Sequence, residues 1–125
     1  MIDLHFSKAS VEEIVASLKS GHALFEEQTS KMLASKSPIS LKVAFRQMRE
    51  GAKLSFEDAM RLEFRLTNRF MRGHDFYEGV RAVIIEKDNA PKWNPANLDQ
   101  VRSRDVDNYF AALESGDLDL GLPAQ

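Results

Sequence analysis

Apolar residues recur along the chain at the three- and four-residue spacings of amphipathic α-helices, and glycines and prolines separate the segments. The first apolar stripe consists of Val11, Ile14, Val15 and Leu18. Ser10 precedes this stripe and Glu13 follows three residues later, which is the spacing of a capping box, while Gly21 comes after it. The pattern therefore predicts a first helix between Ser10 and Gly21.

Two further helices are predicted before residue 52. A weaker pattern indicates a helix over residues 22–36, whose apolar side consists of Leu24, Phe25, Met32 and Leu33. The dipeptide Ser37-Pro38 is a sharper start signal, because proline at the first helical position loses no hydrogen bond. This third helix is expected to end at Gly51 and to turn three apolar side chains inward, Leu41, Phe45 and Met48.

The longest predicted helix runs from its cap at Ser55, with Asp58 three residues behind, to Gly73. Its apolar side is expected to consist of Phe56, Met60, Leu66, Thr67 and Phe70. A second edge of the same helix carries four arginines, Arg61, Arg65, Arg69 and Arg72. Like charges four apart oppose helix formation by roughly 0.2–0.5 kcal/mol per pair, so some contact must compensate them. They form either a solvated face with salt bridges to neighbouring helices or an electropositive rim for phosphates or an acidic partner.

A fifth helix is predicted over residues 75–88, beginning at Asp75 with Glu78 completing its cap. The β-branched segment VRAVIIE also suits a strand, but the cap and the helical spacing favour a helix. That spacing is carried by Phe76, Val80, Val83 and Ile84. Gly79 within this helix predicts the close approach of another backbone, because glycine costs helix stability.

Pro91 and Pro95 bracket Trp93, the only tryptophan, in a segment that cannot be regular helix. Trp93 together with Lys92 could stack on a flat ligand such as adenine. An aromatic residue at such a place more commonly covers the core, and this is the reading we favour.

The predicted elements make an all-α chain of about six helices. The last helix spans residues 104–113 and its stripe consists of Val106, Tyr109, Phe110 and Leu113. The 125 residues suffice for one helical region, 1–125, in which 96–125 form an extension with the last helix and a tail. The tail, residues 117–125, is expected to fray or dock loosely.

Composition narrows the class of protein without identifying a chemistry. Hydrophobic residues make up 43% and charged residues 29%, as in soluble globular domains. A net charge of −2 gives no long-range attraction to nucleic acid or to acidic membranes. Cysteine is absent, which excludes disulfides and thiolate metal sites, and no targeting segment is visible, so we expect a cytoplasmic protein.

Few residues suggest catalysis. The adjacent His74 and Asp75 could be a base and its orienting group, but neighbours in sequence point in different directions, so a junction between two helices is favoured. His5 and His22 are isolated, and no metal-ligand spacing occurs. Glu63 lies within the apolar side of the fourth helix, where a buried carboxylate would have a raised pKa and could act as an acid. A structural partner for Glu63 is the favoured alternative.

The stretch R-G-H-D-F-x-E-G-V-R-A-V-I-I-E-K-D-x-x-P-K-W, residues 72–93, resembles the C-terminal signature of the 3-hydroxyisobutyryl-CoA hydrolases. These enzymes are a branch of the crotonase, or enoyl-CoA hydratase/isomerase, superfamily. Other segments that resemble the family are IDLHFS, VEEIVASLK, SPISLKVAFRQM-REG and DVDNYFAAL. The resemblance covers nearly the whole chain.

The resemblance implies a division of labour. An N-terminal β/α spiral, absent from this chain, would bind the coenzyme A thioester, supply the oxyanion hole and carry the catalytic acids of valine breakdown. The helices would cover the acyl pocket and form contacts with the spiral or with other subunits. This chain would then hold no catalytic residue and be inactive alone, with coenzyme A as part of the substrate and no prosthetic group.

Two further expectations and two rivals accompany this reading. Lys87 and the arginines Arg65, Arg69 and Arg72 are candidates to contact the phosphates of coenzyme A. A fragment with a bare docking surface is expected to self-associate. The rival readings are the same region of an enoyl-CoA hydratase or isomerase, and a stand-alone helical interaction module.

Overall fold

The computed structural model describes residues 6–21 and 23–113. Six α-helices lie wholly within these residues, and no strand occurs among them, so the all-α prediction is confirmed. The helices are α1 (Val11–Ser20), α2 (Leu24–Ala34), α3 (Pro38–Gly51), α4 (Phe56–Arg72), α5 (His74–Val80) and α6 (Ser103–Phe110). A π-helical turn, Arg81–Ile85, continues α5, and a 3-10 turn, Leu98–Gln100, precedes α6. His5, His22 and the predicted tail lie outside the described residues.

Three serine side chains cap the helices where the sequence predicts. Ser10 Oγ accepts a hydrogen bond from the Glu13 amide at 3.2 Å. Ser37 Oγ accepts from the amide of Ser40 at 3.3 Å, and Ser55 Oγ accepts from the amide of Asp58 at 3.2 Å. Each such cap contributes about 1 kcal/mol, because it satisfies an amide that the helix leaves without a partner. The predicted starts of α1, α3 and α4 are confirmed.

The core lies between α3, α4 and α6. Its buried side chains are Ile39, Val43, Leu62, Leu66, Val101, Val106 and Phe110. Phe70 and Tyr109 pack against this cluster with ring centroids 4.6 Å apart. The Arg46 guanidinium lies 4.3 Å from the Phe110 ring centroid and covers the open side of α6. Of the predicted stripe of the last helix, Val106, Tyr109 and Phe110 are confirmed. Leu113 is also buried, but α6 ends at Phe110 and not at residue 113, so the predicted end of this helix is wrong.

The inward faces predicted for α3 and α4 are wrong in part. Met48 is 77% exposed and Phe56 is 74% exposed, whereas Val43 and Leu62 are buried. Both helices carry apolar residues on more than one side, and periodicity alone does not tell which side has a neighbour. On α2 no side chain is buried, and the predicted apolar residues Leu24 and Met32 are mostly exposed.

The segment VRAVIIE is helical, as predicted, but its details differ. Helix α5 begins at His74, with Gly73 as a cap residue that offers no side chain, and the helical run ends at Ile85 rather than at residue 88. Within Arg81–Ile85 the one buried side chain is Ala82. Of the predicted stripe, Phe76, Val83 and Ile84 are 45%, 57% and 64% exposed, so much of this apolar face is open to solvent in the described residues.

None of the helices within residues 6–21 and 23–113 is both long and apolar enough to cross a lipid bilayer.

Candidate functional site

A groove with a volume of about 680 Å³ lies between α3, α4 and α5; we call it the α3–α5 groove. Its apolar walls are formed by Val43, Leu66, Phe70, Met71, Phe76, Val80, Ile84 and Trp93. Its polar side chains include Ser40, Gln47, Glu63 and Thr67. The groove is an open, mainly apolar concavity, which is the usual form of a ligand or partner site.

Asp75 closes one end of this groove and joins three chain segments. Its carboxylate is 3% exposed. It accepts hydrogen bonds from Ser37 Oγ at 2.5 Å and from the amide of Asn94 at 2.9 Å, and it contacts His74 Nδ1 at 2.8 Å. Burial of Tyr109, and secondarily the charge of Asp75, raises the pKa of the tyrosine phenol.

The expectation that His74 and Asp75 do not pair is wrong. Both lie in the first turn of α5, where the imidazole folds back to the carboxylate of the next residue. The contact does not make a Ser-His-Asp triad, because Ser37 donates to Asp75 and not to the imidazole, so His74 is not placed to take the serine proton. The sequence predicted that His74 and Asp75 lie at a junction between two helices. The pair indeed follows Gly73, the residue that separates α4 from α5.

Trp93 packs across α5. Its indole Nε1 donates to the carbonyl oxygen of Ser35 at 3.0 Å, and a Cβ added at Gly79 would lie 3.3 Å from Trp93 Cη2. The close approach predicted at Gly79 is thus present, but the approaching group is an indole ring and not a backbone. Glycine at this position lets the ring lie directly on the helix.

Arg81 holds the chain that leads back to Trp93. Its guanidinium donates to both oxygens of Glu78, at 2.8 and 2.6 Å, and its Nη1 lies 2.7 Å from carboxylate oxygens of Glu86 and Asp88. Glu78 also accepts from the amide of Lys92 at 2.7 Å. The predicted capping role of Glu78 is wrong, because its carboxylate faces Arg81 and the returning chain. We call this set of contacts the Arg81 clamp.

The Arg81 clamp perturbs the titration of its members. Hydrogen bonds from Arg81, and then from the Lys92 amide, lower the pKa of Glu78 from 4.5 to about 2. Arg81 likewise lowers the pKa of Asp88, and its three carboxylate partners raise the pKa of Arg81. Both residues with positive φ in the described chain, Lys87 at 57° and Asn89 at 52°, lie within the segment that the clamp encloses.

Two of the four arginines of α4 are engaged at the end of α6. Arg65 Nη1 donates to the carbonyl oxygen of Phe110 at 2.8 Å. Arg69 Nη2 donates to the carbonyl oxygen of Ala112 at 3.1 Å and lies 3.5 Å from that of Ala111. The Phe110 carbonyl belongs to the C-terminal end of α6, which carries partial negative charge, whereas Ala111 and Ala112 follow the helix. Hydrogen bonds to these carbonyl oxygens compensate the repulsion along α4. Sequence reasoning missed them because the acceptors are backbone atoms far along the chain.

Arg61, Arg72 and Lys87 are the other basic residues that the sequence suggested for contact with phosphates. Arg61 pairs with Asp58 on its own helix at 2.9 Å, while Arg72 and Lys87 are exposed. That Lys87, Arg65, Arg69 and Arg72 contact coenzyme A remains a prediction.

Glu63 does not have the buried environment that motivated its candidacy. It is exposed at the rim of the α3–α5 groove, and Gln47 Nε2 lies 3.5 Å from its Oε1. Helix α4 turns Leu62 and Leu66 to the core, which leaves Glu63 at the edge. Within the described residues no three histidine, cysteine or acidic side chains are grouped to hold a metal ion.

Comparison with known proteins gives a family match and a set of relatives. The family model described as enoyl-CoA hydratase/isomerase matches residues 1–110. The chain is 49% identical over 119 residues to 3-hydroxyisobutyryl-CoA hydrolase, mitochondrial, of Danio rerio, covering 95% of this chain and 31% of the relative. It is 44% identical to the Homo sapiens protein of that name over 113 residues, which is 90% of this chain and 29% of that protein.

Two solved structures share the arrangement of the helices. A carnitinyl-CoA dehydratase from Mycobacterium thermoresistibile superposes with a TM-score of 0.83 at 36% identity, over 92% of this chain and 33% of that one. An enoyl-CoA hydratase from Rhodobacter sphaeroides 2.4.1 gives 0.87 at 31% identity, over 95% and 35%. The chain thus spans about a third of the length of the proteins it matches.

Replacement of Gly79 by leucine should move the Trp93 ring off α5, because the site offers no room for a larger side chain. The expected result is a red shift of tryptophan emission and stronger quenching by acrylamide. Gly51→Leu is the matched control, since an added Cβ there has nothing within 4 Å. Equal emission spectra for the Gly79 and Gly51 variants would contradict this packing.

The Arg81 clamp predicts a pH dependence of stability. The folded pKa of Glu78 lies below its ordinary value, so its contribution is complete above about pH 4.5 and is lost as the pH falls towards about 2. The unfolding temperature should therefore fall across this window, and Glu78→Gln should start lower and fall less steeply. Calorimetry at several pH values measures both curves, and parallel curves would contradict the role of Glu78.

Proposed function

Because the chain belongs to the enoyl-CoA hydratase/isomerase family, we propose that it is the helical docking region of a hydrolase acting on 3-hydroxyisobutyryl-CoA. The observation that carries this proposal is the identity of 49% and 44% with two proteins of that name along 90% or more of the chain. The region would correspond to the C-terminal part of such an enzyme and would cover the acyl pocket.

The contacts within residues 73–94 support a structural role for this segment. Asp75 and Glu78 accept hydrogen bonds from the amides of Asn94 and Lys92, Arg81 donates to Glu78, and Trp93 lies against Gly79. Side chains occupied in this way fix the shape of the segment and leave none of them poised as a nucleophile. The segment therefore suits a precisely shaped surface better than a reaction centre.

The chain alone is proposed to be inactive. Thioester hydrolysis needs fixed donors for the oxyanion and a positioned base. The α3–α5 groove contains the side chains of Glu63 and Thr67. Ser37 lies at the end of this groove, and its hydroxyl is already engaged, because it donates to Asp75. The groups that stabilise the oxyanion are proposed to lie on the two thirds of the enzyme that this chain does not match. Coenzyme A would enter as part of the substrate, and a cytoplasmic location remains a prediction.

The alternative function is that of an enoyl-CoA hydratase or isomerase. It is favoured by the two solved structures, whose names include a dehydratase and a hydratase and whose helices superpose with TM-scores of 0.83 and 0.87. Identity with these proteins, 36% and 31%, is lower than with the hydrolases. The hydrolase is therefore the proposed function.

Two chimaeras test the proposal. In one, this chain replaces the matched region of the Danio rerio hydrolase, and in the other it replaces that of the Rhodobacter sphaeroides hydratase. The first is expected to release free thiol from 3-hydroxyisobutyryl-CoA, and the second to leave an enoyl-CoA unhydrated, because the surfaces that meet must match. The isolated chain should release no thiol above a denatured control.

Each arm of this experiment has its own control and its own adverse result. The parent enzymes lacking the matched region set the background rate. Activity in the hydratase chimaera alone would favour the alternative function, and thiol release by the isolated chain would refute its proposed inactivity.

Self-association of the isolated chain is also proposed. Bare apolar side chains on α2, α5 and the π-helical turn favour contact between copies, because burying them removes apolar surface from water. Sedimentation velocity across a range of concentrations should show dimers or larger species at the upper end. A strict monomer at every concentration would contradict this proposal.

A further inference from the structure

The four arginines of α4, which we call the arginine edge, are not satisfied to the same extent. Arg61 pairs with Asp58 at 2.9 Å. Arg69 donates from Nη2 to the carbonyl oxygen of Ala112 at 3.1 Å, but its Nε is buried and has no hydrogen-bond partner among the described residues. Arg72, in the last turn of α4, is exposed and forms no ion pair with a described residue. The C-terminal end of the edge therefore holds cationic donors without a described acceptor.

Donors of this kind require an acceptor. A buried N–H group without one destabilises the fold, because it has lost its hydrogen bonds to water and has gained none in return. Like charges one helical turn apart also repel each other, and a cation that pairs with no acid leaves this repulsion uncompensated. The C-terminal end of the arginine edge is therefore suited to an anionic group.

The chain that leaves α6 runs along this edge towards the C-terminal end of α4. Arg65 binds the carbonyl oxygen of Phe110, and Arg69 binds that of Ala112, so two residues of this chain advance by four residues of α4. Four helical residues rise by about 6 Å, and two residues of extended chain rise by about the same distance. Ala111 indeed has extended backbone angles, φ −69° and ψ 149°. The two segments are therefore parallel as far as Ala112.

The same register leads from Ala112 to Arg72. Arg72 lies three residues after Arg69 on α4, a rise of about 4.5 Å, which one or two further residues of extended chain cover. Leu113 is buried, and Glu114 follows it in the sequence. Because successive side chains of an extended chain point to opposite sides, that of Glu114 is expected on the solvent side, where Arg72 is exposed.

The charge of the segment that follows is complementary to the arginine edge. Residues 114–119, with the sequence ESGDLD, carry the three carboxylates of Glu114, Asp117 and Asp119 and no basic residue. These carboxylates are tethered to the edge through Ala112, so their effective concentration there is high. A phosphate group from solution has no such advantage. The acidic segment of the chain itself is therefore the favoured occupant.

We infer that residues 114–119 bind the C-terminal end of the arginine edge, with the Glu114 carboxylate between Arg72 and Arg69 as the acceptor for both. The occupant is this segment of the same chain, and neither the phosphates of coenzyme A nor a second copy. The inference does not rest on the proposed function. It competes with the prediction that Arg69 and Arg72 contact coenzyme A, and competition by phosphate decides between them.

A pair of introduced cysteines tests the inference, because the chain has no cysteine of its own. Asn68→Cys places one thiol on α4, one turn before Arg72, and Ser115→Cys places the other directly after Glu114. The equilibrium between these thiols and their disulfide in a glutathione buffer gives their effective concentration, which rises when the segment is held on α4. Dilute protein and gel filtration exclude disulfides between copies.

Arg72→Gln and Glu114→Gln are each expected to lower this effective concentration by about two- to fivefold, because exposed ion pairs contribute modestly. The two substitutions together should lower it no further, since the second has no pair left to break. The exchanged pair, Arg72→Glu with Glu114→Arg, should recover most of the original value. Arg61→Gln is the matched control on the same edge and should change nothing, because Arg61 already pairs with Asp58.

Effects of Arg72→Gln and Glu114→Gln that multiply in the double variant would overturn the inference, and so would an equal effect of Arg61→Gln. Inorganic pyrophosphate is the probe for phosphate binding, at a concentration well below that of the buffer salt. If it lowers the effective concentration as far as Arg72→Gln does, the edge is a phosphate site and the inference fails. An unchanged effective concentration supports the inference.

Proteolysis gives a second measurement that needs no cysteine. A glutamate-specific endoprotease must take the Glu114 side chain into its pocket to cut the bond to Ser115, so pairing of that side chain slows the cut. Cleavage at this bond should be severalfold faster in Arg72→Gln and unchanged in Arg61→Gln, as followed by mass spectrometry of the products. Equal rates in all three chains would contradict the pairing.

The Arg72 variant is expected to remain folded. Its side chain is exposed, so Arg72→Gln should shift the unfolding temperature by no more than about 2 °C. A change in cleavage at Glu114 without such a shift reports on the segment itself and supports the inference. A large fall in the unfolding temperature would place Arg72 in the packing of the helices and would overturn it.

Discussion

The buried carboxylate of Asp75 is the constraint on which the rest of the site depends. A charge that is 3% exposed must be hydrogen-bonded, because an unpaired one would cost several kcal/mol. The partners of Asp75 come from the cap of α3, from the start of α5 and from the chain after Trp93. Satisfying one carboxylate therefore fixes three segments at once. The position of Trp93 on Gly79, and with it one wall of the α3–α5 groove, follows from that fixation.

The arginines of α4 show how an unfavourable local pattern is stabilised by tertiary structure. Four arginines at helical spacing repel one another by a few tenths of a kcal/mol per pair. Arg65 places its guanidinium on the carbonyl oxygen of Phe110 at the end of α6, where interaction with the helix dipole contributes about 0.3–1 kcal/mol. Arg69 donates to the carbonyl oxygen of Ala112, just beyond that helix. The same contacts join α4 to α6, so the charge pattern helps to order the core.

Local signals could be predicted from the sequence, and tertiary choices could not. The caps Ser10, Ser37 and Ser55 depend on groups within three residues, and each one lies where the pattern placed it. Which apolar side of α3 is inward depends on neighbours, so Met48 was expected inside whereas Val43 is buried. The same holds for the candidate site. Gly79 within a helix predicted the close approach of another group, but no residue near Gly79 in the sequence identified Trp93 as that group.

Polar contacts and not apolar burial hold α5 and its π-helical turn, and this explains why the surface is available. Asp75 anchors the start of the helix, the Arg81 clamp anchors its end, and Ala82 alone is buried in the turn. A helix that is anchored by its apolar face buries that face in its own core, and the face is then not available for another contact. Because polar side chains do the anchoring, Phe76 and Ile84 remain exposed and are held in a fixed geometry. A surface that is ordered before binding lowers the entropy cost of association, which suits the docking role proposed for these helices.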